Sequence, residues 1–507
     1  MSEFHLPYHF IPATGEINGK PSARHPWEDI AAGKAGPIRH DYWQADALHG
    51  RVVCKLTLQT PTVVGGMQTG PENAKVVQPY TVNGSPAIPG SSLRGMIGSV
   101  METLSQSAMR VLGDGELSIQ IDKKKQRVGS VHDFFRKINA DLLPWNTERT
   151  HLSPAEALMG AVVDKNKEYD IKSGQKLCDQ KNLASRIQFS DGLSPDASQI
   201  QYADGIRSWE VNNTHPVITL KILDSPKPPC PTLYFTPKNN NHELPFSLQS
   251  YAPRGRKYYL HHPLAQTEKE AWKSKNRDNL KQKLNVTPLV SGQSFLFHID
   301  FQNLSKNELD LLLGSLILPV IKKPKTGIKA YYRHHLGLGK SLGMGSVEIT
   351  NFGLYMIDRI NRYTVESFTQ PRYSSVYDKP VLNDHDYKAM QSLYPTELAA
   401  LEQASCGKWK LERNLVDEET MQLLCTIGSL GFLKKDTLVN YPLTQEQYLL
   451  LKDELELCSS ESLISGRKTS EKNGYKWFKE YKTSQNPKPL DDLKKFGELP
   501  TLDCDNS

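Results

Sequence analysis

Ala87-Ile88-Pro89-Gly90-Ser91-Ser92-Leu93-Arg94-Gly95 reads as an extended segment turned abruptly into a helix. Pro89 and Gly90 end the extension, and Ser91 or Ser92 is placed to cap the helix by accepting a backbone N–H bond. Leu93, Met96, Ile97, Val100, Met101 and Leu104 then recur at helical spacing, which predicts one buried face. The outcome is a helix N-terminus carrying hydroxyls and Arg94 at the edge of a packed domain. Free N–H groups and the positive dipole end favour an anion there, phosphate above all. Taken alone, the stretch reads first as a capped core helix with no ligand. It gains weight from a second loop, Gly337-Leu338-Gly339-Lys340-Ser341-Leu342-Gly343-Met344-Gly345, whose glycines permit positive φ and close backbone approach, leaving amides to meet phosphates. Gly339-Lys340-Ser341 is not a nucleotide-binding P-loop. That motif needs a glycine five residues before Gly339, where His334 stands, and the loop is expected to run from a helix towards a strand.

Outward from these loops, Val52, Cys54, Leu56 and Leu58 alternate with Val53, Lys55 and Thr57, the period of a half-buried strand. The segment from Thr60 to Pro79 is expected to be a loop too irregular for a hairpin. Ile187 and Phe189 mark a short strand, and Val217, Thr219 and Lys221 alternate with Ile218, Leu220 and Ile222 in another. Phe295, Phe297, Ile299 and Phe301 give a strong strand signal. Ser305 and Glu308 form a capping box for a helix with the face Leu309, Leu312, Leu313 and Leu316. Val347 and Ile349 open a last strand. Strand, helix, strands, strand, helix, strand, with both helices on one side, predicts an α+β fold of the ferredoxin-like, split βαβ plan, with large insertions and a C-terminal helical extension.

The expected division is an N-terminal arm at 1–48, anchored by Tyr8, Phe10, Trp27 and Trp43, followed by a core at 49–357. Insertions fall at about 109–184, with short helices including one near Pro154 to Met159, and at about 224–292, rich in turn signals such as Pro226, Pro228 and Pro229. Residues 358–507 form the helical extension, with a helix around Leu449 to Leu457 and a mobile Lys-rich tail. No internal repeat is evident.

A chain of 507 residues accommodates two or three domains at roughly 150 each, or one elaborated domain. No apolar run reaches the roughly 18 residues of a membrane span, and the start Met1-Ser2-Glu3-Phe4-His5 lacks the pattern of a secretory signal, so a cytoplasmic protein is expected. The seven cysteines are scattered, odd in number and never C-x-x-C, which argues for free thiols over zinc or disulfides. A net charge of +6 does not by itself indicate nucleic acid; its distribution does more. Lys322, Lys323, Lys325, Lys329 and Arg333 lead into the glycine loop with Tyr331 and Tyr332 among them. Arg254, Arg256, Lys257, Tyr258 and Tyr259 repeat the mixture of backbone-neutralising cations and stacking rings. Either set alone also fits a solvated basic face.

These residues carry a family resemblance. Ile88-Pro89-Gly90-Ser91-Ser92-Leu93-Arg94-Gly95, preceded by Thr60-Pro61 and Gly65-Gly66 and closed by Leu336 to Ile349, resembles the RAMP superfamily of CRISPR-associated proteins. Leu152 to Gly160 and Ser185-Arg186-Ile187-Gln188-Phe189-Ser190-Asp191 are similar to that family's intervening elements, with Met159 where the family prefers Phe. The resemblance covers about 50–352. The Tyr8-His9-Phe10 start and Arg254-Gly255-Arg256-Lys257-Tyr258-Tyr259 look most like large backbone subunits of type III effector complexes. It implies a modified RNA-recognition fold that grips CRISPR RNA and the guide–target duplex through backbone contacts, beside other effector subunits, with antiviral purpose. Candidate RNA-binding residues are Ser91, Ser92, Arg94, Arg254, Lys257, Lys329, Arg333, Gly337, Gly339, Lys340 and Gly343. Backbone subunits of that kind cut target RNA with an Asp in the loop after the first strand. Here that loop, Met67 to Lys75, has no Asp, and Glu72 is its single acid, a weak catalytic candidate. The alternative function is therefore an endoribonuclease using Glu72, or His334 as general base. No cofactor is expected, and a divalent metal enters only with such cleavage.

Overall fold

The protein is described by a computed structural model. It describes residues 3–359 apart from 35–37, 39, 41–43, 45, 71–74, 122–123, 147, 164–181, 196–197, 199, 204–216, 222, 224–233, 239–247, 263–271, 275–282 and 323–328, and beyond them 374–375, 411–433, 437–440, 449 and 499–503. Trp43, Glu72 and most of the helix expected around Leu449 to Leu457 lie outside the described residues.

Six elements make the core: β1 (Leu48–Leu58), α1 (Gly90–Leu104), β2 (Ile187–Phe189), β3 (Ser294–Leu304), α2 (Lys306–Leu316) and β4 (Ser346–Met356). β1 lies antiparallel between β3 and β4, and β2 pairs with the far edge of β3. The order β4-β1-β3-β2 with α1 and α2 inserted is the ferredoxin-like plan that the alternation predicted. Register explains its stability. Val52, Cys54 and Leu56 stand opposite Ile299, Phe297 and Phe295, and all six are buried in one cluster with Leu93, Ile97, Leu309 and Leu312 of the two helices. Such cross-strand apolar pairs are the unit of sheet stabilisation. The alternate positions, on the sheet's other face, mix polar residues with buried Val53 and Leu296. Arg51 forms two hydrogen bonds with Asp300, at 2.6 and 2.9 Å, and Thr57 Oγ1 lies 3.1 Å from Ser294 Oγ.

Helix α2 starts as expected. Ser305 accepts from the Glu308 N–H while the Glu308 carboxylate accepts from the Ser305 N–H. The same carboxylate receives the buried Arg186 guanidinium, which also donates to the Asn303 carbonyl at 2.7 Å and to the Ala157 carbonyl at 3.0 Å. Arg186 thereby ties β2, the β3–α2 turn and the helix Pro154–Met159 together. A comparable device holds that helix, where Arg149 donates to both oxygens of Glu156, at 2.6 and 3.0 Å.

Three local expectations change. The segment after Thr60 contains a hairpin, Gly65–Thr69 paired with Val76–Pro79. Its irregularity is a bulge between Gly65 and Gln68, and its register is fixed from outside, since Val77 pairs with Val286 of a distant strand. The first insertion carries a helix at Pro154–Met159 and another at Val131–Arg136, but also the hairpin Glu116–Ile121/Lys124–Ser130. Leu117 and Phe134 of that insertion share a cluster with Phe235 and Tyr251 of the second, so the two insertions supply each other's apolar partners. Finally, the glycine loop follows a strand, His334–His335, that pairs with β4.

The arm is extended and well packed. Tyr8–Ile11 pairs with Arg256–Tyr259, and Glu3–His5 lies between Leu438–Val439 and Leu502–Asp503. Helix Glu418–Ile427 puts Met421, Leu423 and Leu424 into the same cluster as the core. Among the described residues no helix is long and apolar enough to cross a membrane.

Candidate nucleic-acid interface

The N-terminus of α1 is not open to an external anion in the way its sequence suggests. Pro89, not a serine, holds the N-cap position, and no side chain of the helix itself caps it. The cap comes from Asp191, whose Oδ1 accepts from the Gly90 N–H at 2.7 Å and whose Oδ2 accepts from the Tyr80 hydroxyl at 2.8 Å. Gly90 is required because an added Cβ would fall 2.5 Å from the Phe189 carbonyl oxygen. A carboxylate at the positive end of a helix is favourable, and it raises the Tyr80 phenol above its ordinary range. Arg94 turns away from this end and donates to the Met159 carbonyl, at the close of the helix Pro154–Met159.

The glycine loop is likewise committed to its own chain. The amides of Leu336, Leu338, Leu342, Gly343, Met344 and Gly345 donate to the carbonyls of Gly345, Val63, Gly339, Lys340, Gly339 and Pro61. At Gly337 an added Cβ would stand 2.1 Å from the Val63 oxygen, and at Gly345 2.0 Å from the Leu336 oxygen, with φ of +79° and +74°. Those glycines let the loop lie flat on Thr60–Val64. Its short 3-10 turn, Lys340–Leu342, sits between left-handed Gly339 and Gly343, and the lysine emerges from it.

A groove of about 980 Å³ runs between these parts. One wall is a small-residue strip of α1, Ser92, Gly95 and Ser99, and a Cβ at Gly95 would meet nothing within 4 Å. The opposite wall is Gly337, Leu338 and Lys340, with Gly65, Gly66 and Gln68 of the hairpin alongside. Lys257 and Tyr258 come from the strand Arg256–Tyr259. The Tyr258 hydroxyl donates to the Ser99 carbonyl at 2.7 Å and lies 2.6 Å from Thr103 Oγ1, which fixes that strand against α1. The groove thus gathers Ser92, Lys257, Gly337 and Lys340 from the expected set. Ser91 is exposed beside it, Gly339 is buried, and Gly343 packs against the His262 ring. Arg254 is buried, and Arg333 has Nε 3.9 Å from Glu348. Of Lys329 only the backbone is described, paired with Lys322.

Four histidines lie under the loop. His261 and His335 stack with ring centroids 3.9 Å apart and an interplanar angle of 8°. His261 Nε2 donates to the Arg333 carbonyl at 3.1 Å, and His334 Nε2 donates to Leu316, the last carbonyl of α2, at 2.9 Å. Burial holds His261 and His262 down to about 3 and His334 to about 4. At neutral pH these rings are uncharged, and His334 acts as a helix stop. Among the described residues no group of His, Cys, Asp or Glu is arranged to hold a metal ion.

Sequence reasoning did not find the Asp191 cap, the histidine stack, or the rings around Lys257. Tyr8, Tyr259 and Tyr234 surround that ammonium, with centroids 4.0, 4.8 and 5.9 Å from Nζ. Only the pairing of the arm with a strand some 250 residues later creates this contact.

No curated protein matches the chain. A solved structure titled "Type IV-B CRISPR Complex" is similar at 12% identity over 62% of this chain and 99% of that one, with a TM-score of 0.25. The model of the RAMP superfamily matches residues 55–348. That span holds α1, β2, β3 and α2 whole, with Lys55–Leu58 of β1 and Ser346–Glu348 of β4, together with both glycine-bearing walls of the groove, and on it the chain belongs to the RAMP superfamily.

Proposed function

We propose that the protein is a CRISPR RNA-binding structural subunit of a type III RNA-guided effector complex, working in the cytoplasm beside other subunits and holding guide and target RNA by their backbones. The observation that carries this is the groove: a strip of small residues on α1 faces two lysines, Lys257 and Lys340, and among the described residues neither forms an ion pair. Small residues admit a sugar–phosphate backbone closely, and unpaired ammonium groups neutralise it. Sequence is then read by base pairing and not by side chains. The insertions and the arm supply surfaces for neighbouring subunits and the target strand.

The test is a filter-binding series with single-stranded RNA at increasing salt. Counterion release predicts a steep fall of affinity, with log–log slope of about −0.7 per phosphate neutralised on a single strand. Lys257→Ala and Lys340→Ala should each weaken binding and make the slope shallower by about that amount. A flat salt response, or unchanged binding in the double variant, would overturn the proposal. Sequencing the RNA that co-purifies with the intact assembly should return species sharing a repeat-derived tag.

A further inference from the structure

Lys257 is held unlike any other cation of the groove. It projects from the strand Arg256–Tyr259 on the same side as Tyr259, and the opposing strand brings Phe10 across from it and Tyr8 across from Tyr259. Tyr8, Phe10 and Tyr234 interlock around it, Tyr8 and Phe10 at 5.8 Å edge to face and Phe10 and Tyr234 at 5.4 Å. The ammonium sits over the Tyr8 ring at 4.0 Å. Its neighbours along the chain are otherwise engaged: Arg256 donates to Gln106 and to the Ser107 carbonyl, and Tyr258 bonds to α1. Glu102, the carboxylate that lines the groove, is paired with Arg110. Among the described residues the ammonium is therefore held by ring faces, within the groove of about 980 Å³.

We infer that Lys257 is a phosphate-binding residue of the groove whose proton is bound more tightly once RNA is present, so that RNA affinity is linked to its protonation. The inference rests on the RNA-binding reading of the groove. Ring faces solvate an ammonium less well than water does, and burial brings Lys257 down to about 8; a phosphate beside it restores the charged form. The linkage then has a definite sign. Affinity is full below about pH 8 and falls as pH rises, until the RNA-bound lysine itself loses its proton.

Several other groups facing this region are shifted away from that window. His9 on the arm is lowered to about 3, His334 to about 4, and His335 well below its ordinary value, all chiefly by burial. Tyr258 is raised to about 12 and Tyr259 upward, again by burial. Arg256 is lowered by burial, against the raising influence of Glu102, but a guanidinium keeps its proton throughout. Lys340, across the groove, is also lowered by burial, and so is the one group that must be separated experimentally.

The experiment is fluorescence anisotropy of a labelled single-stranded RNA on the full chain at pH 7 and pH 9, at constant ionic strength. The wild type should lose about tenfold in affinity, the ratio of protonated fractions for a group titrating near 8. Lys340→Arg should retain that loss, and Lys257→Arg, whose charge does not titrate, should bind with less than about a twofold change. Calorimetry of the wild type at pH 8 in two buffers of different ionisation enthalpy should register proton uptake on binding. Tight RNA binding that is constant from pH 7 to 9, or a fall that persists undiminished in Lys257→Arg, overturns the linkage while leaving the RNA-binding reading intact. Absence of RNA binding at pH 7 overturns both.

Discussion

Arg186 shows how much one side chain can determine. It is fully buried, its charge is met by Glu308, and its other donors reach the carbonyls of Ala157 and Asn303. Removing one partner of such a pair leaves an unpaired buried charge, which costs about 3–5 kcal/mol. Arg186→Ala should therefore lower the unfolding free energy by that amount in urea titration, and Arg186→Ala/Glu308→Ala should cost much less than the sum of the single changes. Asp191→Ala should be milder, about 0.5–2 kcal/mol for a lost helix cap, with the Tyr80 phenol returning towards its ordinary value in an ultraviolet titration. Both residues stand in the stretch Ser185 to Asp191, yet their roles differ from what spacing implies. A run of seven residues shows a strand and a turn; it does not show that the strand's ends serve two helices remote in sequence. For the same reason Ser91 and Ser92 looked like the cap, because a sequence displays local partners and conceals distant ones.

At the scale of elements, the alternation in β1 and β3 and the capping box of α2 were legible because each depends on residues close together in the chain. The hairpin Gly65–Thr69/Val76–Pro79 was not, since its register is set by Val286, and neither was Glu116–Ile121/Lys124–Ser130, whose apolar residue Leu117 finds its partners in the other insertion. The glycine loop follows a strand and not the expected helix, and its glycines make room for the loop's own neighbours. That role is measurable. Gly345→Ala combines φ of +74° with a carbonyl oxygen 2.0 Å away and should cost about 2–3 kcal/mol or more. Gly84→Ala, at φ of +79° with nothing within 4 Å, should cost only about 1–2 kcal/mol. Equal losses in thermal or urea unfolding would show that backbone strain, not packing on Val63 and Leu336, makes the loop need glycine.

At the scale of the whole molecule, acid should act on the buried histidines before it acts on carboxylates. His9, His261 and His262 are lowered to about 3, and His49 and His334 to about 4, with burial the largest cause in each. The unfolded chain binds these protons near pH 6.5, so the stability they contribute is complete above that value and is lost progressively as pH falls towards 3–4. Urea midpoints should hold steady from pH 8 to 7 and drop between pH 6.5 and 5, and replacing His261 and His335 with asparagine should flatten that drop.

The strand Glu3–His5 pairs with Val439 on one side and Asp503 on the other, while Tyr8–Ile11 waits for Arg256–Tyr259. During synthesis on a ribosome, Glu3–His5 thus stays unpaired until residues far downstream are made, whereas Tyr8–Ile11 can pair once Arg256–Tyr259 emerges, and long-range pairings of this kind are slow to form. Until Tyr8 docks, Lys257 lacks the nearest of its rings. Arg256–Tyr259 precedes β3, α2 and β4 in the chain, so the arm can close around Lys257 before the four-stranded sheet is complete.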